Sequence, residues 1–153
     1  ISSLINECKE NKIAIGLENH FDLPTPYIVK ILETINNPYV GAVYDTTNHI
    51  GFIEHPEYTL ELLSPFVKSI HIKDYQIKKG EACTIISGQI FGEGQLNSAK
   101  VLKNVLAANP KASVIMEMLI PRREGISSAE AVREEKIQIE KNTQNLFKLL
   151  TCL

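Results

Sequence analysis

Four segments of this chain alternate bulky apolar residues with small or polar ones at period two, and each ends in a side chain able to hold a metal. The plainest is 66–74, FVKSIHIKD. At the two-residue period of a strand, Val67, Ser69 and His71 share one face, and Ile70 and Ile72 share the other. In 12–18, KIAIGLE, the residues Ala14, Gly16 and Glu18 oppose Ile13, Ile15 and Leu17. In 40–45, VGAVYD, the set Gly41, Val43 and Asp45 opposes Val40, Ala42 and Tyr44. In 113–118, SVIMEM, the set Ser113, Ile115 and Glu117 opposes Val114, Met116 and Met118. One charged residue at a strand end is ordinary, but here every column ends in a carboxylate or an imidazole. That is the layout of barrel strands whose last inward residue faces an active site.

Between these segments the period switches to that of a helix. Ile1, Leu4, Ile5 and Cys8 sit at i, i+3, i+4, i+7, the tail of a helix that stops near Asn11. A helix capped near Thr25 carries Ile28, Ile31, Leu32 and Ile35 and stops at Asn36-Asn37-Pro38. A third, from about Pro56 to Leu63, carries Tyr58, Leu60, Leu62 and Leu63 and breaks at Ser64-Pro65. A fourth, capped by Asn97, carries Val101, Leu102, Val105 and Leu106 and ends at Asn109-Pro110. The last, capped at Ser127 or Ser128, runs to about Leu150, with Val132, Ile139, Leu146, Leu149 and Leu150 inward. From 74 to 94 the pattern loosens. Segments 83–86 and 89–91 read as a small hairpin turning at Ser87-Gly88, closed by Gly92-Glu93-Gly94. So long an excursion after a strand is more often functional than idle. His49 and His55 read as solvated surface, as does the pair Arg122-Arg123, which could otherwise bind a substrate phosphate.

Four strand–helix units in strict alternation predict an α/β fold with a parallel sheet covered by helices. An open doubly wound sheet would want a GxGxxG or P-loop signature and apolar residues on both strand faces. Neither signature is present, and one strand face is mixed. The expectation is a (β/α) TIM-barrel type. Four units are half of an eight-fold barrel, usually about 250 residues. Residues 1–153 therefore read as a single domain, the fifth to eighth units of a partial barrel, with the N-terminal half absent. The chain also starts at Ile1 rather than Met. An isolated half barrel leaves two unpaired strand edges and an uncovered core face, so a homo-oligomer or a missing N-terminal half is expected.

Composition narrows the class of partner. A formal net charge of −2 gives no electrostatic footprint for nucleic acid. Cys8, Cys83 and Cys152 lie far apart in no metal-ligand spacing, which suits a reducing cytoplasm better than a disulfide framework. No apolar run approaches the roughly 18 residues a membrane span needs, and no signal peptide is visible. A cytoplasmic chain acting on a small molecule is the expectation.

Five short motifs then carry a family likeness. GLENH at 16–20, YDTTN at 44–48, SIHIKDY at 69–75, GEGQLN at 92–97 and MEML at 116–119 resemble, in this order, the xylose isomerase-like TIM barrel superfamily. Its members include sugar isomerases and epimerases, inosose dehydratases and endonuclease IV relatives. The resemblance implies one divalent metal on Glu18, Asp45, His71 and Glu117, the same four residues that strand parity selects. Three carboxylates and one imidazole suit Mn²⁺, Mg²⁺ or Co²⁺, with Zn²⁺ an alternative. It further implies that Glu18 and Glu117 handle protons, one removing a proton beside a metal-polarised carbonyl and the other returning one on the opposite face. The enzyme expected is an isomerase or epimerase of a small sugar, sugar phosphate or polyol. An inosose-type dehydratase and a non-catalytic half-barrel fragment are the alternatives. Lys73 and Asn48 are expected to contact substrate or support a ligand, and His20 and Glu93 to bind substrate hydroxyls. Asn48 stands where endonuclease relatives carry histidine, and no Asp-x-His pair follows His71, so DNA cleavage is not expected. Taken singly, a strand-end carboxylate is more often a cap or a salt-bridge partner, and a strand-end histidine a core group. Only the ordered set carries the metal.

Overall fold

The structure, a computed structural model, describes residues 1–119 and 123–153. In chain order its elements are α1 (Ile5–Asn11), β1 (Ile15–Glu18), α2 (Thr25–Ile35), β2 (Val40–Asp45), α3 (Pro56–Leu63), β3 (Val67–Ile72), β4 (Asp74–Lys79), β5 (Thr84–Gln89), α4 (Ser98–Ala108), β6 (Ser113–Met116) and α5 (Ser128–Leu150). Strands β1, β2, β3 and β6 form one sheet in that order, and β4 and β5 form a separate hairpin. The pairings of β1 with β2 and of β2 with β3 are parallel. This is the α/β alternation that the apolar pattern predicts, and helices α3 and α5 span the residues expected of them.

Chain contacts divide the molecule into two units, Ile1–His71 with Lys100–Ile115 and Ile72–Ala99 with Met116–Leu153. In the first, Val40, Ala42 and Tyr44 of β2 are buried, as are Ile28 and Leu32 of α2, Leu60 and Leu63 of α3, and Val101, Leu102 and Val105 of α4. Gly16, on the alternate face of β1, is exposed, and Val43 of β2 is half-buried. In β2 both columns are buried except at Val43, since Gly41 and Asp45 are buried as well. Val67 leaves the face expected of it. The register pairs Ala42 with Val67 but Val43 with Ser69, so one extra residue, a bulge, sits in β3. It moves Val67 off the face of Ser69 and His71, leaving it only 1% exposed.

Several boundaries move for local reasons. β1 starts at Ile15, three residues later than the pattern allows, because Lys12 closes α1 in the left-handed region (φ 56°) and Ile13 donates its N–H to Cys8. Thr25 lies inside α2, whose N-cap is Pro24; the Thr25 N–H and hydroxyl both go to the Glu54 carboxylate. Ile1 and Leu4 are exposed, and only Cys8 of that stripe is buried. β6 ends at Met116, although the next N–H, that of Glu117, still donates to Ile72 (3.0 Å).

In the second unit the expected hairpin is in the wrong register. β4 pairs antiparallel with β5 from Asp74↔Gln89 to Lys79↔Thr84, and the turn lies at residues 80–83. Gly88 sits inside β5, where a Cβ would stand 1.9 Å from the Leu119 carbonyl oxygen. A close backbone approach put glycine there, not a turn. On α5, Leu146 is buried, but Val132 (51%) and Ile139 (40%) are exposed rather than inward. The helix instead buries Asn142, which accepts the Phe91 N–H (2.7 Å), while Asn145 donates to the Phe91 carbonyl (2.7 Å). Backbone groups of a loop without a strand neighbour need partners, and the two amides supply them.

Two histidines depart from the solvated reading. His55 caps α3, its Nδ1 accepting the Glu57 N–H (3.3 Å). His49, in a 3₁₀ turn at Asn48–Phe52, is 1% exposed. Burial lowers its pKa from 6.5 to about 4, with the Asp45 backbone pulling the other way and His55 adding a small repulsion. Arg122 lies outside the described residues, and Arg123 pairs with Glu134.

Two measurements check this account. Ser127 and Glu130 form a reciprocal capping box at the start of α5. Ser127→Ala is expected to cost about 1 kcal/mol in denaturant unfolding. In a pH titration followed by NMR, the His49 ring should stay neutral until the pH approaches 4. The unfolded chain takes that proton near 6.5, so His49 contributes its full stability above pH 6.5 and loses it as the pH falls toward 4.

Candidate metal centre

In the first unit, three parallel strands bring their C-terminal residues together. Register pairs Glu18 with Val43 and Asp45 with His71. Strand geometry keeps the inward column in phase up to those ends. Gly16 and Val43 meet so closely that a Cβ on Gly16 would lie 2.4 Å from a Val43 methyl. The column narrows below the ligands as a tight interior requires. The Glu18 carboxylate Oε1 lies 3.4 Å from His71 Nδ1 and accepts from Asn48 Nδ2 (3.3 Å).

Asp45 is fully buried and firmly held. Its Oδ1 accepts the N–H groups of Thr47 (2.8 Å) and Asn48 (2.9 Å), a turn that the side chain closes on its own backbone. Its own N–H donates to Asn19 Oδ1 (2.7 Å), and Asn19 Nδ2 donates to its carbonyl (3.0 Å). Asn48 Nδ2 also reaches the Asn19 carbonyl (3.2 Å). Asn19 thus clasps the end of β2 to the end of β1. It belongs to the GLENH motif, yet nothing in periodicity marks it out from an ordinary loop asparagine.

In the second unit, Glu117 directly follows β6. Its Oε1 accepts from Lys73 Nζ at 3.0 Å, and Lys73 is only 4% exposed. An ammonium taken that far from water needs a carboxylate beside it.

Within the first unit, Glu18, Asp45 and His71 each offer one ligand atom, and those atoms lie within 4.8 Å of one another. Donors sharing one ion at about 2.1 Å can be at most about 4.2 Å apart, so a contraction of about half an ångström would seat a cation. Two carboxylate oxygens and one imidazole nitrogen are donors that Mg²⁺ or Mn²⁺ accept, and the set fits such an ion in kind. Of the other expected contacts, Asn48 touches Glu18, and Lys73 touches Glu117. His20 is exposed with its ring edge-on to Phe21 (centroids 5.1 Å apart), and exposed Glu93 pairs with Lys141 of α5 (2.7 Å).

The sequence pattern of the xylose isomerase-like TIM barrel matches residues 1–141, and the chain belongs to that family. No curated protein matches significantly. Among solved structures, a xylose isomerase-like TIM barrel protein from Mycobacterium smegmatis in complex with magnesium superimposes with a TM-score of 0.68 at 17% identity, over 95% of this chain and 49% of that one. A xylose isomerase domain protein from Planctomyces limnophilus gives 0.70 at 19%, over 97% and 50%. The probable 3-DHS dehydratase AsbF of Bacillus anthracis, involved in petrobactin synthesis, gives 0.61 at 12%, over 98% and 53%. At these identities the likeness is one of fold. The chain spans about half the length of each.

The clasp around Asp45 has a measurable weight. Asn19→Ala removes two hydrogen bonds to the Asp45 backbone and leaves buried polar groups without those partners. It should lower unfolding stability by about 2 kcal/mol, read from the denaturant midpoint.

Proposed function

We propose that this chain carries the metal-binding half of an isomerase or epimerase that acts on a small sugar, sugar phosphate or polyol. The observation that carries the reading is the convergence in the first unit of three ligand atoms, two from the carboxylates of Glu18 and Asp45 and one from the His71 imidazole, within 4.8 Å. Glu18, Asp45, His71 and Glu117 would hold one divalent ion. When bound, that ion would polarise a substrate carbonyl and offset the charge that builds up when the neighbouring carbon loses a proton.

The protein's own side chains supply the rest. Glu18 and Glu117 are the proton carriers in this reading, one taking the proton from carbon and the other delivering one to the opposite face. Hydrogen bonds from Asn48 to Glu18 and from Lys73 to Glu117 fix the direction of each carboxylate. A proton carrier needs such aim, since proton transfer requires heavy atoms within about 3 Å. In this reading Asn48 and Lys73, bonded to the two glutamates, are also taken as substrate contacts. The partner proposed is thus a small carbohydrate, with neither nucleic acid nor membrane involved: the net charge is −2, and no described helix is long and apolar enough to cross a membrane. A second copy or an upstream barrel half would cover the open sheet face. Three free cysteines favour a reducing compartment such as the cytoplasm. A dehydratase would use the same proton-removing carboxylate and differ in losing water, which product analysis separates.

Saturating Mn²⁺ at a hundred times its Kd should stabilise the fold by about 2.7 kcal/mol and raise Tm accordingly. Glu117→Gln should abolish turnover across a ketose panel while Mn²⁺ still binds. Turnover that survives chelation of all divalent metal would sink this mechanism.

A further inference from the structure

Asp74, the first residue of β4, directly follows Lys73 and is 2% exposed. Its Oδ1 accepts the N–H groups of Tyr75 (2.8 Å) and Leu96 (3.0 Å), and its Oδ2 those of Gly92 (2.9 Å) and Gly94 (3.0 Å). Four backbone donors around one carboxylate satisfy its oxygens out of water. They also bind residues 92–96 to the start of β4. Gly94 makes this possible, since a Cβ there would stand 2.2 Å from Asp74 Oδ1, and Gly92 contributes a left-handed turn at φ 84°. The same loop is tied again by Gln95, whose N–H donates to the Tyr75 carbonyl (2.8 Å) and whose Oε1 accepts the Ile77 N–H (2.7 Å). The spacing of GEGQLN is therefore a carboxylate cradle and not a phosphate loop.

The residue on the other side of this anchor is Lys73. Its four-carbon stem loses rotamer freedom when ordered, and a fixed backbone limits what remains to be ordered. We propose that Asp74 is a positioning residue: by gathering four N–H groups it fixes the passage from β3 into β4 and thereby holds the Lys73 ammonium on Glu117. All these contacts lie within one unit of the chain. The importance of this for turnover rests on the reading of Glu117 given above, but the coupling of Asp74 to Lys73 does not.

The test is the acetylation rate of individual lysines with acetic anhydride, read by mass spectrometry. Asp74→Asn keeps the side-chain shape but turns an NH₂ toward N–H groups that now find an acceptor. In the wild type, Lys73 should react much more slowly than exposed Lys78 and Lys79. In Asp74→Asn its rate should rise about tenfold, the signature of local opening, while buried Cys8 stays shielded from a thiol reagent as proof that the rest is folded. Gly94→Ala, which crowds the same carboxylate, should give the same rise should the first variant fail to fold. An unchanged Lys73 rate in either folded variant, or a wild-type Lys73 as reactive as Lys78, overturns the proposal. Mn²⁺ titration of the wild type separates the two readings: absent metal binding defeats the proposed function and leaves the lysine result standing.

Discussion

Like charges gathered at strand ends repel, and much of this chain is arranged to offset that repulsion. Two unit charges 4.8 Å apart cost about 3.5 kcal/mol at an effective dielectric of 20. In the first unit, Glu18 and Asp45 are two such carboxylates, with ligand atoms within that distance of each other. Thr47 and Asn48 direct backbone donors at Asp45, Asn48 directs its amide at Glu18, and Lys73 places an ammonium on Glu117. A dication at the common point would complete the balance, which is the physical basis of the metal reading. The helices and buried apolar faces supply the rigid frame on which such a costly grouping can be held.

The lines most legible in the sequence are those where side-chain parity meets burial. β2 is the clear case: Val40, Ala42 and Tyr44 are buried, Asp45 ends the opposite column, and the strand has the bounds expected of it. α3 is as plain, because Pro56 opens it and Ser64-Pro65 closes it. What stayed hidden depends on partners distant in sequence. Nothing near Val67 announces a bulge, since register is decided by β2. The hairpin was misplaced because Gly88 looks like a turn residue until the Leu119 carbonyl is seen beside it. His49 looked solvated because its burial is imposed by a turn that folds back under β2.

The candidate site divides in the same way. The four ligand positions could be read from phase, since each closes a column. Asn19 and Asp74 could not, because both act through backbone groups of other segments and any asparagine or aspartate in a loop looks alike in sequence. His20 and Glu93 belong to the motifs of the family likeness, and Phe21 and Lys141 give each an ordinary surface partner.

The two amides of α5 that hold Phe91 carry a consequence for the chain's C-terminus. Asn142 and Asn145 do for Phe91 what an adjacent strand would do, accepting its N–H and donating to its carbonyl. Helix α5 is thus wired, through one loop residue, to the segment in which the N–H groups of Gly92, Gly94 and Leu96 end on Asp74. Unwinding that helix would free both backbone groups of Phe91 and so loosen the glycine loop, which makes α5 part of the scaffold that shapes that loop.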